Sequence, residues 1–306
     1  MPLSQNTRGS LFMVVATAGF TINDALTKVA SADMNAGQIM FVRGIFAVLL
    51  MGAIVWHQKA LVPVRAFWQP AVLFRILGEN AATIFFLIAL AQLPLANTTA
   101  IMQALPLLIT LAAALFLGER VGWRRILAIL TGFVGVLIIV RPGFEGFNSF
   151  ALFALLSVLF CAVRDLATRQ IPPTVPSLLI SLLTAASVMV SGGLLIAPMG
   201  GWTPMRTEMI ALLALSAALV LIGYTFVIMA MRTGELSVIA PFRYAALIWS
   251  VALGLLIFGD VPDMPMIIGA TIIVLSGIYT LLRERKVSRT KPVTSTTGPN
   301  MAADGL

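Results

Sequence analysis

Seven ionisable residues stand inside long apolar runs of this 306-residue chain: Asp24, Arg43, Arg75, Glu79, Arg164, Asp165 and Arg243. A charge inside a bilayer costs about 2.5–3.5 kcal/mol on insertion scales, so each needs a partner or a task. Four cations and three anions leave the set at +1. Arg75 and Glu79 are four residues apart, which puts them on one helical face. Asp24 and Arg43 flank a turn at residues 33–34 almost evenly and so share a depth. Asp165 and Arg243 share a depth on the opposite side. These pairs suit an outer latch, Asp24–Arg43, and an inner latch, Asp165–Arg243, that open in turn. Static pairs that fix helix register are the equal alternative. Arg164 and Asp165 are sequence neighbours and are expected to point apart. A neighbouring guanidinium favours an ionised carboxylate, which argues against Asp24, Glu79 or Asp165 as a proton carrier.

Polar and aromatic residues beside two prolines extend the candidate site. Pro106 and Pro241 each remove a backbone donor and free a carbonyl, which a membrane tolerates beside protein or a water-filled cavity. Gln103 stands near the first, and Arg243, Tyr244 and Trp249 near the second. Tyr224, Tyr244 and Trp249 offer rings for stacking, although a core aromatic at a packing kink explains Trp249 equally well. One Cys, Cys161, and one His, His57, argue against a disulfide, a metal centre or a cofactor. No Gly-x4-Gly-Lys-[Ser/Thr] loop for nucleotide hydrolysis is present.

Only spanning helices can position such a site. The chain is 59% hydrophobic and 10% charged, which excludes both a soluble domain and a disordered chain. Uncharged runs predict ten helices, at 10–30, 36–56, 68–91, 95–117, 122–140, 149–170, 177–197, 208–231, 236–258 and 264–283. The fold class is an all-α polytopic membrane protein. Thirteen of the twenty Lys and Arg residues fall on one side if the N-terminus is cytoplasmic, three on the other. That bias predicts a multi-pass inner-membrane protein with both termini inside. It also accounts for the net charge of +8 without nucleic acid. Trp56, Trp68 and Trp123 then mark the inner interface.

The chain repeats itself at an offset of 141 residues. Asp24-Ala25-Leu26-Thr27-Lys28 falls on Asp165-Leu166-Ala167-Thr168-Arg169, and Gly118-Glu119 on Gly259-Asp260. Phe85 falls on Phe226 and Ala89 on Ala230. Two units follow, 1–145 and 146–285, with a cytoplasmic tail at 286–306 expected to be disordered. Five spans per unit is odd, so the second enters from the opposite side, an inverted repeat. Glu119 and Asp260 read as caps of the following helices.

At this point the residues resemble a family. Pro106 through Gly118-Glu119-Arg120, Gly132-Phe133-Val134-Gly135-Val136 and Phe258-Gly259-Asp260 are similar to the EamA-type branch of the drug/metabolite transporter superfamily. The resemblance covers about residues 10–283. Asn23-Asp24 with Lys28, Phe41-Val42-Arg43, Arg75, Asp165 and Ala240-Pro241-Phe242-Arg243-Tyr244 look like stretches of bacterial riboflavin and S-adenosylmethionine importers. The resemblance implies a central cavity lined by helices 1, 3, 4, 6, 8 and 9.

The resulting expectation is a secondary transporter, not an enzyme, that takes up a small organic metabolite such as riboflavin by alternating access. A core at +1 disfavours a cation such as S-adenosylmethionine. An importer of that cation, or an exporter of amino acids or drugs, is the alternative. The expected partners are the substrate, the lipid bilayer and a second copy of the chain.

Overall fold

In the computed structural model the described residues are 4–57, 69–116, 121–144, 146–172, 175–233 and 235–288. Ten helices there are long and apolar enough to cross a membrane: α1 (Gln5–Ala30), α2 (Ala36–His57), α3 (Pro70–Gln92), α4 (Leu95–Phe116), α5 (Trp123–Val140), α6 (Phe150–Thr168), α7 (Ser177–Ile196), α8 (Thr207–Thr233), α9 (Ala240–Phe258) and α10 (Met264–Arg283). No strand occurs among the described residues. The Gly118-Glu119-Arg120 stretch, Lys59, Arg65, Trp68 and positions 289–306 lie outside them.

Two helix ends depart from the expected bounds. α1 starts five residues early, at Gln5, because the Ser4 hydroxyl accepts the Thr7 N–H at 3.2 Å and caps the first turn. The last helix continues through Ser288, into the stretch expected to be disordered.

Lipid replaces water as the outer solvent, and the exposed surface reflects this. Leu194, Ile248, Leu256, Leu115 and Phe116 stand exposed on span faces. Trp56 and Trp123 sit exposed at the end of α2 and the start of α5, where an indole suits a membrane edge. With apolar surface outside as well as inside, burial of apolar area cannot drive assembly. Close packing and hydrogen bonds must do so.

The spans pack across the two halves of the chain. α1 lies on α8, α2 on α7, α3 on α6 and α5 on α10. α4 rests on α6 and α9, and α9 on α1 and α4. The pattern is unchanged when every span is exchanged for the one five places away. Individual contacts recur at the offset of 141 as well. Phe12 meets Phe226 at 5.8 Å between ring centroids, and their counterparts Phe153 and Phe85 meet at 5.9 Å. Thr27 hydrogen-bonds Ser216, and their counterparts Thr168 and Arg75 bond each other.

Glycines set the closest of these approaches. A Cβ on Gly192 of α7 would lie 2.6 Å from the Phe41 nitrogen of α2, and one on Gly37 would lie 2.8 Å from the Leu195 carbonyl carbon. Backbone meets backbone there, so neither side can yield. Gly192→Ala is expected to cost about 1–3 kcal/mol, as overpacking does, and to lower the thermal midpoint in detergent. Gly52→Ala, whose Cβ meets nothing within 4 Å, is expected to leave it unchanged.

Polar side chains tie down the loops. Gln38 is fully buried; its Nε2 donates to the Thr203 carbonyl at 2.7 Å and its Oε1 accepts the Thr203 N–H at 2.9 Å. Arg141, left-handed at φ 52°, ends α5 and forms an ion pair with Asp263 ahead of α10. Partial burial pushes the Asp263 carboxyl up. The Arg141 hydrogen bond and charge and the Met266 N–H outweigh it and hold the group below its ordinary 3.8.

Candidate functional site

α1 and α6 carry the two related stretches, and each builds a polar node with its neighbours. On α1, the Asn23 amide joins three helices. Its Nδ2 donates to Asp24 Oδ1 at 2.9 Å. Its Oδ1 accepts from Arg43 Nη1 of α2 at 3.4 Å and from the Ser216 hydroxyl of α8. Asn23 and Ser216 are buried, so these bonds form away from competing solvent and their loss leaves polar groups exposed to a low dielectric.

On α6, Arg164 is the centre. Its Nε donates to Asp165 Oδ1 at 2.7 Å and its Nη1 to Glu79 Oε2 of α3 at 3.0 Å. The planar fork of a guanidinium reaches two carboxylates at once, which an ammonium does not. One turn on, the Thr168 hydroxyl donates to the Arg164 carbonyl at 2.7 Å and accepts from Arg75 Nη1 of α3 at 2.5 Å. The small size of Gly78 lets α3 approach this close: a Cβ there would sit 3.0 Å from the Arg164 nitrogen.

The two nodes form one electrostatic unit. Arg43 is attracted by Asp24 and also by Glu79, while Glu79 is attracted by Arg164, Arg75 and Arg43. Three arginines and three carboxyl groups therefore share the unit, equal in number. It is not sealed: the side chains of Arg164, Glu79 and Asp165 keep 20%, 24% and 23% of their surface open. Aromatic rings border it, with Phe20 edge-on to Tyr224 at 4.9 Å and Phe85 stacked on Phe160 at 5.5 Å.

Several expected arrangements are corrected. Arg164 and Asp165 do pair, because the long arginine side chain folds back along the helix where the short aspartate cannot reach away. Asp165 is thereby committed to Arg164, and the expected Asp165–Arg243 latch is not formed. Arg243 lies exposed on the 3₁₀ turn Ala240–Tyr244 that opens α9, and its side chain has no ion pair among the described residues. The charge of +1 assigned to the core falls to zero for the same reason. Asp24 reaches Arg43 through Asn23 rather than directly. Glu79 bonds Arg164, and Arg75 bonds Thr168, so the shared face on α3 is divided between two partners on α6.

The remaining candidates gather at the middle of α4 and the start of α9. α4 is interrupted between Met102 and Leu105, and Gln103 Nε2 donates to the Arg243 carbonyl at 3.2 Å. Tyr244 is buried against Gly277 of α10, whereas Trp249 sits at an exposed position of α9. Among the described residues no group of three or more His, Cys, Asp or Glu is placed to hold a metal ion. Asn23 enters the sequence reading only within the Asn23-Asp24 stretch and Ser216 not at all, although a signal for Ser216 exists. The offset of 141 lays Ser216 on Arg75 and Thr27 on Thr168, so either contact predicts the other.

Residues 7–141 match the EamA-like transporter family. That span holds nearly all of α1 to α5 and four of the six charged residues of the polar unit. Relatives extend the likeness over nearly the whole chain. A pseudopaline exporter of Pseudomonas aeruginosa is 28% identical over 88% of this chain and 94% of its own. An S-adenosylmethionine uptake transporter of Rickettsia prowazekii is 25% identical over 92% and 95%. A riboflavin transporter of Rhizobium johnstonii is 27% identical over 92% and 93%. A solved protein crystal structure shares the fold, with a TM-score of 0.62 at 20% identity, over 92% of this chain and 99% of that one. The chain is a multi-pass bacterial membrane protein whose first half is similar to the EamA-like transporter family.

Proposed function

We propose that the chain is a secondary transporter that carries a small organic metabolite across the bacterial inner membrane by alternating access, in the direction of uptake. The observation that carries this reading is the balanced polar unit of Asp24, Arg43, Arg75, Glu79, Arg164 and Asp165 inside the bundle. Six ionisable groups at that depth are costly and are kept where they act on a passing solute. The unit is drawn from both halves of the chain, where a solute site of a repeated transporter belongs.

The contact pairs that recur at 141 residues, together with five spans per half, support an inverted repeat of units 1–145 and 146–285. The asymmetric spread of Lys and Arg supports cytoplasmic termini. A net charge of zero suits a neutral or zwitterionic solute better than a cation. Rings at Phe20, Tyr224, Phe85 and Phe160 beside the unit suit a planar, ring-bearing one such as riboflavin. A second reading, export, is favoured by the likeness to the pseudopaline exporter, since a carrier's site does not fix its direction.

Proteoliposomes loaded with unlabelled riboflavin are expected to accumulate labelled riboflavin faster than empty ones, as a carrier does and a pore does not. Labelled S-adenosylmethionine under the same conditions is expected to exchange more slowly. Movement of neither compound overturns the uptake reading.

A further inference from the structure

Lys28 lies one turn beyond the polar unit, at the end of α1, and none of the roles above uses it. Its ammonium donates to the Leu90 carbonyl at 2.9 Å and to the Leu93 carbonyl at 2.6 Å, at the C-terminal end of α3. Carbonyls there lack helical donors, and the negative end of the helix favours a cation. The same ammonium stands 5.4 Å from the ring centroid of Phe258 at the end of α9, within cation–π range. Directly beneath it, Ala25, Leu90 and Leu95 are buried together with Phe258 packed against them. One lysine thus binds α1, α3 and α9 over an apolar plug.

Asp260 supplies the second half of the arrangement. It follows a π-helical stretch, Gly254–Phe258, and a left-handed Gly259 at φ 70°. Its Oδ2 is buried and has no hydrogen-bond partner among the described residues. It attracts Lys28 but is not within ion-pair distance of it among the described residues. A buried carboxylate oxygen without a donor is costly, and a cation held on carbonyls close by is the obvious donor for it.

We propose that Lys28 is the bolt of this mouth of the transporter: on the α3 carbonyls it holds the plug shut, and its transfer to Asp260 releases α3 and opens the mouth. This rests on the transport reading, which it deepens by naming a two-position element. Both positions satisfy the ammonium, so switching does not strand a charge in an apolar setting. The two variants therefore act in opposite directions. Loss of Lys28 removes the closed position, and loss of the Asp260 charge removes the open one.

The test is thiol accessibility of the purified full-length chain in detergent, with Cys161→Ser and a reporter at Ala25→Cys. A water-soluble maleimide is expected to label the reporter about tenfold faster after Lys28→Met, the factor that a charge-assisted hydrogen bond brings. Lys28→Arg, which still donates to two carbonyls, is expected to restore slow labelling. Asp260→Asn is expected to slow labelling below the parent rate, by about threefold, as the open population falls. If Lys28→Met lowers the thermal midpoint while labelling stays at the parent rate, Lys28 is a static cap and the proposal is overturned. Asp260→Asn labelling at or above the parent rate overturns it too, even where Lys28→Met does not fold. The readout needs no solute, so it stands or falls apart from the exchange assay on the parent protein.

Discussion

Arg164→Ala is expected to destabilise the protein by about 3–5 kcal/mol, the range for stripping one partner from a buried ion pair, and to abolish exchange. Arg164 bonds Glu79 and Asp165 together, so its loss leaves two carboxylates near each other with no donor between them. Arg75 and Arg43 still attract Glu79, but nothing replaces the Nε contact to Asp165. The loss should show as a fall in thermal midpoint and in the yield of folded protein in detergent. Arg164→Lys should recover part of the stability, since the charge returns without the fork. Glu79→Gln in the Arg164→Ala background should recover more, because it removes one of the stranded charges. An Arg164→Ala protein as stable as the parent would mean that α3 and α6 are held together by packing alone.

Asn23→Ala is expected to be the second most damaging change. One amide satisfies Asp24, Arg43 and Ser216, on three different helices. Each polar group left unmade in a buried setting costs about 1–3 kcal/mol. Asn23→Ala is therefore expected to slow exchange by more than tenfold and to lower the thermal midpoint. Ser216→Ala, which removes one bond and leaves the amide in place, is expected to cost about 1 kcal/mol. Asn23→Asp separates the roles of the amide. Its carboxylate still accepts from Arg43 and Ser216 but cannot donate to Asp24, and it sets two anions side by side. Full exchange by Asn23→Asp would show that the donor half of the amide has no role.

The ten spans were legible because lipid demands apolar residues on every face, and their bounds fall within a few residues of the helices observed. α1 departs by five residues, since its early start depends on a Ser4 cap and not on hydropathy. The ionised residues of the site were legible for the same reason, as charges stand out in an apolar run. Their pairing was not. Sequence spacing places Arg75 and Glu79 on a shared face, but it does not say that α6 lies against that face and takes both. It places Arg164 beside Asp165, but the reach of an arginine along its own helix decides that they meet. The bridging role of Asn23 was not legible because the residue is neutral, although an amide can donate to an acid and accept from a base at once. The partners of Lys28 were not legible, because only the fold shows α3 ending beside it.

The cross-half pairing of the spans also bears on which parts of the protein can move as rigid bodies. If the first five spans rocked as one block against the last five, the α1–α8, α2–α7, α3–α6 and α5–α10 seams would all have to slip together. Two of those seams are backbone on backbone: Gly37 against Gly192, and Gly135 against the carbonyl of Gly269. Such seams shear poorly, because neither face has a side chain that can change rotamer. The expected movers are thus bodies assembled from both halves, sliding along the looser seams between pairs. The proposed repeat unit and the mechanical unit of this protein are then different objects, and a hinge sought at the linker between the halves would be sought in the wrong place.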